Sequence, residues 1–477
     1  MNSRPGTTRR GEAGMVLVVV LLTLLVMVGS SAAFIWSMNE QQRSAGARLR
    51  TSAARAAAEA GVYRALAILE TTAPDGSRGR SWRTSGYTEA LSGQGLERRF
   101  TVSVTGEPDG AIIITSAGEA GGVRRRVRAR VHLVGPSLLS ALYGSSVVHL
   151  ARPPAAFLIA PYRSGVRDRS WVHVAAGRAI EFATPDVSIN DPRRTLTVDP
   201  GPLDVTAGTR AGGVAARPAT AAPGTVRLLL GRGASLLVGP DREPVDVQQL
   251  RAFGARVEGA TVYRDELPAL PVVDAAYYRA LAAANTLNDA VNRAAGRYVG
   301  DDALSRKSGS DYTHVEFERL AAYLRDERRP AELRGLVYLE GGLSLADGQW
   351  LRVSDGAIVA ESTVFLGRGA TLEVLHSPAT RALPGVLVLG DGGLVVTLGG
   401  HLRAHGLVYA GGTVDIGVGA RVDVVGAILA NDPEISFRSY GGTVVVRYDP
   451  AVLGTPGLSV PEDAPVIAWV AAWDERP

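Results

Sequence analysis

The run from Ala13 to Asn39 carries no charged side chain, and few folds accept such a run. Its core, MVLVVVLLTLLVMVGSSAAFIWSM, is long enough to cross a bilayer as a helix, which needs about 20 apolar residues. Residues 1–14, MNSRPGTTRRGEAG, set Arg4, Arg9 and Arg10 before it against the single Glu12. That bias predicts a cytoplasmic N-terminus, with everything downstream on the other side of the membrane. A cleaved secretory signal has a shorter apolar core of about 7–15 residues, with a small-residue cleavage site after it. Here Gly14-Met15 stands at the border before the run. A plain signal anchor would account for hydrophobicity and orientation alone.

The helical pattern does not stop at the membrane. No proline lies between Pro5 and Pro74, and residues 40–70 are rich in strong helix formers. Leu49, Ala53, Ala56, Ala60 and Ala67 recur at mainly helical spacing, opposite Arg43, Arg50 and Arg64, so they form the expected packing stripe. One helix over about 15–70 would be roughly 80 Å long at 1.5 Å per residue. TTAPDG, over 71–76, supplies the stop.

This arrangement resembles the type IV pilin superfamily, most closely the PilX-type minor pilins. The matching residues are the basic leader ending in Gly14, Met15 as first mature residue, the apolar run 16–36, and Ala57-Ala58-Glu59-Ala60-Gly61. The resemblance implies cleavage between Gly14 and Met15 by a prepilin peptidase and N-methylation of Met15. It implies insertion among other pilins or pseudopilins through the N-terminal helix. The location it implies is the bacterial inner membrane, single-pass, with a cytoplasmic leader and a periplasmic bulk that can enter an extracellular pilus. Pilins usually carry glutamate at the fifth mature position, where this chain has Val19. A carboxylate in hydrocarbon is costly and needs a partner. Its absence fits a subunit with no such neighbour to satisfy, as at a filament tip.

Strand signals follow the helix. RRFTVSV, AIIITSAG and VRRRVRARVHLV alternate with period two, as half-buried antiparallel strands do. In the last, Arg124, Arg126, Arg128, Arg130 and His132 share one face, while Val127, Ala129, Val131 and Leu133 share the other. The arginine stripe could meet phosphates. It lacks interleaved aromatics for base stacking, so no nucleic-acid partner is expected. The readings that remain are a solvated or subunit-facing strand, which is favoured, and a contact with an anionic polymer.

The distal half repeats. Strand openings recur at 335, 356, 385, 406 and 426; a period of about 20 with Gly/Asp turns is the signature of a stacked solenoid. Weaker strands of the same kind occupy 145–270, around a low-complexity stretch, TAGTRAGGVAARPATAAPG. Between the two parts, a helix from Asp274 to Gly296 and a second opening on the capping box Thr313-x-x-Glu316 form an expected helical hairpin that caps the solenoid. VIAWVAAW reads as a last strand anchored by Trp469 and Trp473.

The expected fold is therefore α+β/all-β: a long pilin-like helix with a small antiparallel meander, then a right-handed parallel β-solenoid interrupted by a helical hairpin. The units are 1–14 leader, 15–39 membrane half of the helix, 40–135 the remaining helix and meander, 145–270 first solenoid part, 271–334 helical insertion, 335–457 main solenoid, and 458–477 terminal strand and tail.

Chemistry is mostly excluded. There is no cysteine, so disulfides, thiolate metal sites and thiol nucleophiles are absent. Basic and acidic residues number 51 and 47, too balanced for a nucleic-acid protein; Lys307 is the lone lysine, as a GC-rich genome would give. Asp347, Asp355 and Asp391 each precede glycine, a turn signature. His401 and His405 lie four apart in a strand-like segment and need not share a face. Asp301, Asp302 and Asp311 lack the ligand spacing of a calcium loop. GRGASLLVG and GRGATLEV lack the Lys-Ser/Thr of a P-loop. No catalytic residue, metal ligand or cofactor is expected, and the chain is read as a non-enzyme. Its expected work is assembly or adhesion as a minor, tip-located pilin, with a surface or polysaccharide ligand possible in principle. The rivals are a membrane-anchored solenoid that binds or cleaves polysaccharide, and a type II secretion pseudopilin.

Overall fold

The computed structural model describes residues 10–70, 86–91, 97–107, 111–150, 267–285, 331–461 and 464–476 almost without break, and separate strands between 157 and 264 and at 311–312. Helix α1 runs unbroken from Arg10 to Glu70. It is followed mostly by β-structure in one antiparallel sheet and two large parallel ones.

The membrane half of α1 is exposed from Leu17 onward. The hydroxyls in it are satisfied within the helix: Thr23 Oγ1 donates to the Val19 carbonyl at 2.7 Å and Ser30 Oγ to that of Val26, so neither reaches hydrocarbon unpaired.

The second half of α1 packs on a five-stranded sheet. Its strands are β1 (Tyr87–Leu91), β2 (Arg98–Gly106), β3 (Ile112–Ala120), β4 (Val123–Val134) and the closing strand Ile467–Arg476. All neighbours are antiparallel, and the closing strand returns from the far end of the chain to pair with β4, Trp469 opposite His132. The period of two holds: Val127, Ala129 and Val131 are buried against the helix, and Arg124, Arg126, Arg128 and Arg130 lie on the other face.

The expected packing stripe is on the wrong side. Leu49, Ala56 and Ala67 are exposed, and Ala53 and Ala60 only half-buried. The buried face is Ala54, Ala57, Ala58, Gly61, Val62, Ala65, Leu66 and Leu69. Small residues occur all round this helix, so spacing cannot say which side the sheet covers. What selects the side is close approach. A Cβ on Gly61 would fall 2.2 Å from Ser116 Oγ and 2.8 Å from the Phe100 ring.

Beyond β4 the chain enters a stack of parallel strands, the short antiparallel pair of Val238 with Glu243 excepted. Leu351 pairs with Leu372, Leu372 with Leu402, Leu402 with Val422, and Val422 with Val444. All five are fully buried. A single coil could not bury such residues alone, and the stack makes one continuous core. The stack then crosses to the other half of the sequence. Val444 pairs with Phe157, Ile428 with Leu142, and Phe437 with Val148. From there pairing continues through His173–Ala176 to Val226–Gly231 and Ala260–Arg264. The first and second parts are thus joined where the chain enters and leaves, near 140 and 448, and their outer ends lie at 256–264 and 331–334.

Within the described residues the segment between those ends supplies a connector along the side of the stack and one short helix. Tyr143 Oη donates to the Pro268 carbonyl at 2.7 Å, and Ser137 Oγ to that of Ala269 at 2.8 Å. Val272 and Val273 pair antiparallel with Ser459 and Leu458. Helix α2 spans Ala275–Ala284, with Asp274 capping the Tyr277 amide at 3.0 Å. It ends well before Gly296. Asn285 turns its amide to the carbonyls of Arg334 and Leu336 at 2.8 and 3.0 Å, and Asn288 Oδ1 accepts from the Arg334 amide at 2.7 Å. These bonds to a strand compete with the helix. The second expected helix, the leader up to residue 9, the stop TTAPDG, the low-complexity stretch, Asp301 and Asp302 lie outside the described residues. Asp311 lies in a short strand that pairs with Tyr338.

Candidate functional site

Two regions gather unusual chemistry. The first is α1 itself. Gly14 and Met15 both lie within the helix. Among the described residues one helix, Leu17–Glu70, is long and apolar enough to cross a membrane, and its apolar window is entirely unburied. At its other end Arg55 bridges Glu59 at 2.9 Å and Glu475 of the closing strand at 2.6 Å. Glu70 accepts the Ala468 amide at 3.0 Å. Burial raises the Glu70 carboxyl, and this bond opposes the rise. Tyr63 packs on Trp473 with ring centroids 6.0 Å apart, and His132 on Trp469 at 5.9 Å.

The arginine stripe of β4 is met by acid in part: Glu119 pairs with Arg99, and Arg126 stands opposite Arg476. Arg124 stands opposite Glu119 and Arg128 opposite Asp474 in register, and Arg130 pairs with Glu107 at 2.9 Å.

The second region is the outer face of the larger parallel sheet. Glu332, Arg352, Glu373, Arg403 and Asp423 stand side by side on five neighbouring strands. Their charges alternate. Arg352 bonds Glu373 at 2.8 Å, Arg403 approaches it at 3.9 Å, and the Trp350 indole N–H donates to it at 3.3 Å. Asp423 accepts from Arg421 at 2.7 Å and lies 3.4 Å from His401. Burial alone would raise the Asp423 carboxyl, but the bonds from His401 and Arg421 outweigh it and hold the group below the usual carboxylate range. Its Oδ1 is buried without a partner among the described residues. A general acid for glycoside cleavage needs the opposite, a raised pKa.

The aspartates before glycine take turn roles. Asp347 Oδ1 accepts the Arg368 amide at 2.9 Å, and Asp391 is exposed in a turn. Asp355 does more. It has φ of 53°, the one positive φ at a non-glycine among the described residues. Its Oδ1 accepts from the Ser377 amide and the Thr380 hydroxyl, both at 2.8 Å. It thereby holds the loop 376–384, which Arg381 also fixes through a two-pronged bond to Asp449 at 2.5 and 2.6 Å.

His401 and His405 do share a face of their strand, because an even separation always does in a pleated strand. The four-residue interval still sets them about 13 Å apart. His405 meets His376 instead, ring centroids 6.1 Å apart beneath that loop. His376 Nε2 donates to the Gly356 carbonyl at 2.7 Å, and the His376 amide donates to His405 Nδ1 at 3.2 Å. The second bond requires a neutral His405 ring, since its Nδ1 must accept. Burial first, then the neighbouring His376, Arg403 and Arg447, push His405 down to about 4.

Sequence reading missed the charge ladder, although its signal was present. The ladder residues recur about every 20 residues with one longer step, as the strand openings do, and only pairing shows that they line up. Among the described residues no group of three or more His, Asp or Glu is placed to hold a metal ion.

No family model matches the chain, and no curated protein matches it. Among solved structures it is similar to the competence-associated pilin ComZ from Thermus thermophilus, at 14% identity over 90% of this chain and 98% of that one, with a TM-score of 0.25. So low a score marks a likeness too slight for any conclusion about this chain to rest on.

Proposed function

We propose that the chain is a minor pilin-like subunit of a type IV pilus, held in the bacterial inner membrane by α1 and delivered from there into the filament. The observation that carries this reading is α1: an unbroken helix with one half uncharged, mostly apolar and unburied, and the other half packed through Ala57, Ala58 and Gly61 on an antiparallel sheet. In this reading a prepilin peptidase cuts between Gly14 and Met15, and Met15 is N-methylated. Other pilins then pack on the exposed side of α1, where Leu49, Ala56 and Ala67 lie. The stacked parallel sheets form a right-handed β-solenoid inserted between β4 and the closing strand. A body of that bulk suits a filament tip, where Val19 leaves no acidic group in need of a neighbour. Its role there is pilus biogenesis or adhesion, without catalysis and without a cofactor.

The test is the mass of the mature N-terminus after co-expression with a prepilin peptidase. A chain that starts at N-methylated Met15 supports the reading. An intact leader in the presence of an active peptidase would overturn it and leave a simple membrane anchor.

A further inference from the structure

The turns that lead onto the charged face carry a feature that folding does not need. Asp347, Arg368, Leu398 and Val418 occupy equivalent turn positions in successive coils. The amide of Gly348 donates to the Arg368 carbonyl at 2.9 Å, that of Gly369 to Leu398 at 3.1 Å, and that of Gly399 to Val418 at 3.2 Å. Each is followed by a glycine at positive φ, 72°, 65°, 66° and 64° in turn, which by itself accounts for the bend. Turn positions favour polar residues. Yet Leu398 and Val418 are 46% and 51% exposed, and Tyr440, one position earlier in the next turn, is 42% exposed. Trp350, three residues beyond Asp347 at the head of its strand, is 38% exposed. Four exposed large apolar side chains therefore follow one corner of the stack.

Beside this ridge Arg403 and Arg421 stand out while their acidic partners Glu373 and Asp423 are sunk; Glu332 at the end of the row and Asp347 on the ridge are exposed acids. The Arg403 and Arg421 side chains are 34% and 52% exposed, against 9% for both Glu373 and Asp423. Arg368 is exposed on the ridge itself. From Trp350 to Tyr440 there are four strand spacings, about 19 Å in all.

We propose that this ridge is a binding site for a linear acidic polysaccharide. A straight strip with one element per strand suits a straight polymer with a repeating unit. Arg352 stacks over the Trp350 ring at 5.4 Å and Arg438 over the Tyr440 ring at 4.8 Å, and the exposed remainder of each ring meets the apolar side of a sugar. Leu398 and Val418 cover the aliphatic edges between them, and Arg368, Arg403 and Arg421 receive the carboxylates. A nucleic acid fits less well, because stacking of successive bases needs aromatics on successive positions, and here they stand at the two ends. The site does not depend on the pilin reading: it belongs to the stacked sheets whether or not α1 enters a filament.

The test uses full-length protein in detergent micelles, titrated with polygalacturonate and, as the uncharged control, dextran. The proposal expects binding of polygalacturonate and none of dextran. The double variant Leu398→Glu, Val418→Glu and the single variant Trp350→Ala should each weaken binding at least about tenfold, with circular dichroism unchanged. Phe365→Ala, on the outer face of the other parallel sheet, should leave it as it was. Absence of binding to polygalacturonate and to alginate would sink the proposal. So would binding that the ridge variants do not alter, or tighter binding of duplex DNA through the same ridge.

Discussion

Gly118 of β3 and Ala54 of α1 meet backbone to backbone. A methyl group on Gly118 would lie 2.1 Å from the Ala54 carbonyl oxygen and 2.2 Å from the Ala58 amide nitrogen. Nothing flexible stands in the way, so the helix itself would have to move. Gly118→Ala is expected to destabilise the protein by about 3 kcal/mol or more, the upper end of the cost of overpacking, read as a lower denaturant midpoint for the unit that buries Phe100. Gly122→Ala is the control. It meets nothing within 4 Å and has φ of 78°, so only the backbone term of about 1–2 kcal/mol remains. Equal losses in the two variants would show that the helix–sheet approach is not as close as described.

The histidine pair predicts acid sensitivity. His405 is pushed down to about 4 from an ordinary 6.5, by burial first and then by His376, Arg403 and Arg447; His376 is lowered too, chiefly by burial. Asp355 and Asp449 act on His376 in the opposite direction. A histidine with a depressed folded pKa is neutral when folded, and the unfolded chain takes up the proton first. Stability is therefore complete above about pH 6.5 and falls as the pH drops from there to about 4. Between pH 7 and pH 5 the His405 contribution amounts to about 2 kcal/mol. Urea midpoints at the two pH values check this, and His405→Gln should flatten the dependence. A profile equally steep in that variant would assign the effect elsewhere.

Arg381 neutralises a carboxylate that has almost no water: the Asp449 side chain is 4% exposed. Removing one partner of a buried pair leaves the other charge uncompensated. Arg381→Ala is expected to cost about 3–5 kcal/mol and to free the loop 376–384 to proteases. Asp449 also accepts the Ala451 amide at 3.0 Å, so Asp449→Asn with Arg381→Ala should recover part of the loss. No recovery in the double variant would mean that the pair is not the latch of the loop.

The closing strand ties the two ends of the chain together. Ala468 and Val470 are buried against the α1 sheet, and Arg55 and Glu70 both reach this strand. Deleting residues 467–477 should uncover β4 and raise binding of a hydrophobic dye, while the core built from Leu351 to Val444 keeps its β-type circular dichroism. Unchanged dye binding would show that the strand is dispensable.

Much of this was legible in the residues. An uncharged run of that length fits a membrane helix, the absence of proline lets it continue to Glu70, and alternation in β4 separates its arginines from its valines. The intervals between strand openings announced the stacked strands. These are local properties: propensity, charge and period act within a few residues of one another. The alanine stripe of α1 failed because a helix that is small on every side does not say which side will be covered. The helix from Asp274 was read as too long because bonds from Asn285 and Asn288 to Arg334 lie across about 50 residues of sequence.

The kind of each element is written in the residues: a long membrane-competent helix, amphipathic strands after it, and short repeated strands with glycine turns. Only the tertiary structure decided the partners. It set Val444 beside Phe157, Ile467 beside Val134, and Arg352, Glu373, Arg403 and Asp423 in one row. The reason is that an apolar strand face is satisfied by any complementary neighbour, so its pattern carries no address. The address comes from close approach and exact shape at many distant contacts at once, as where Gly118 meets Ala54, and those exist only in the folded chain.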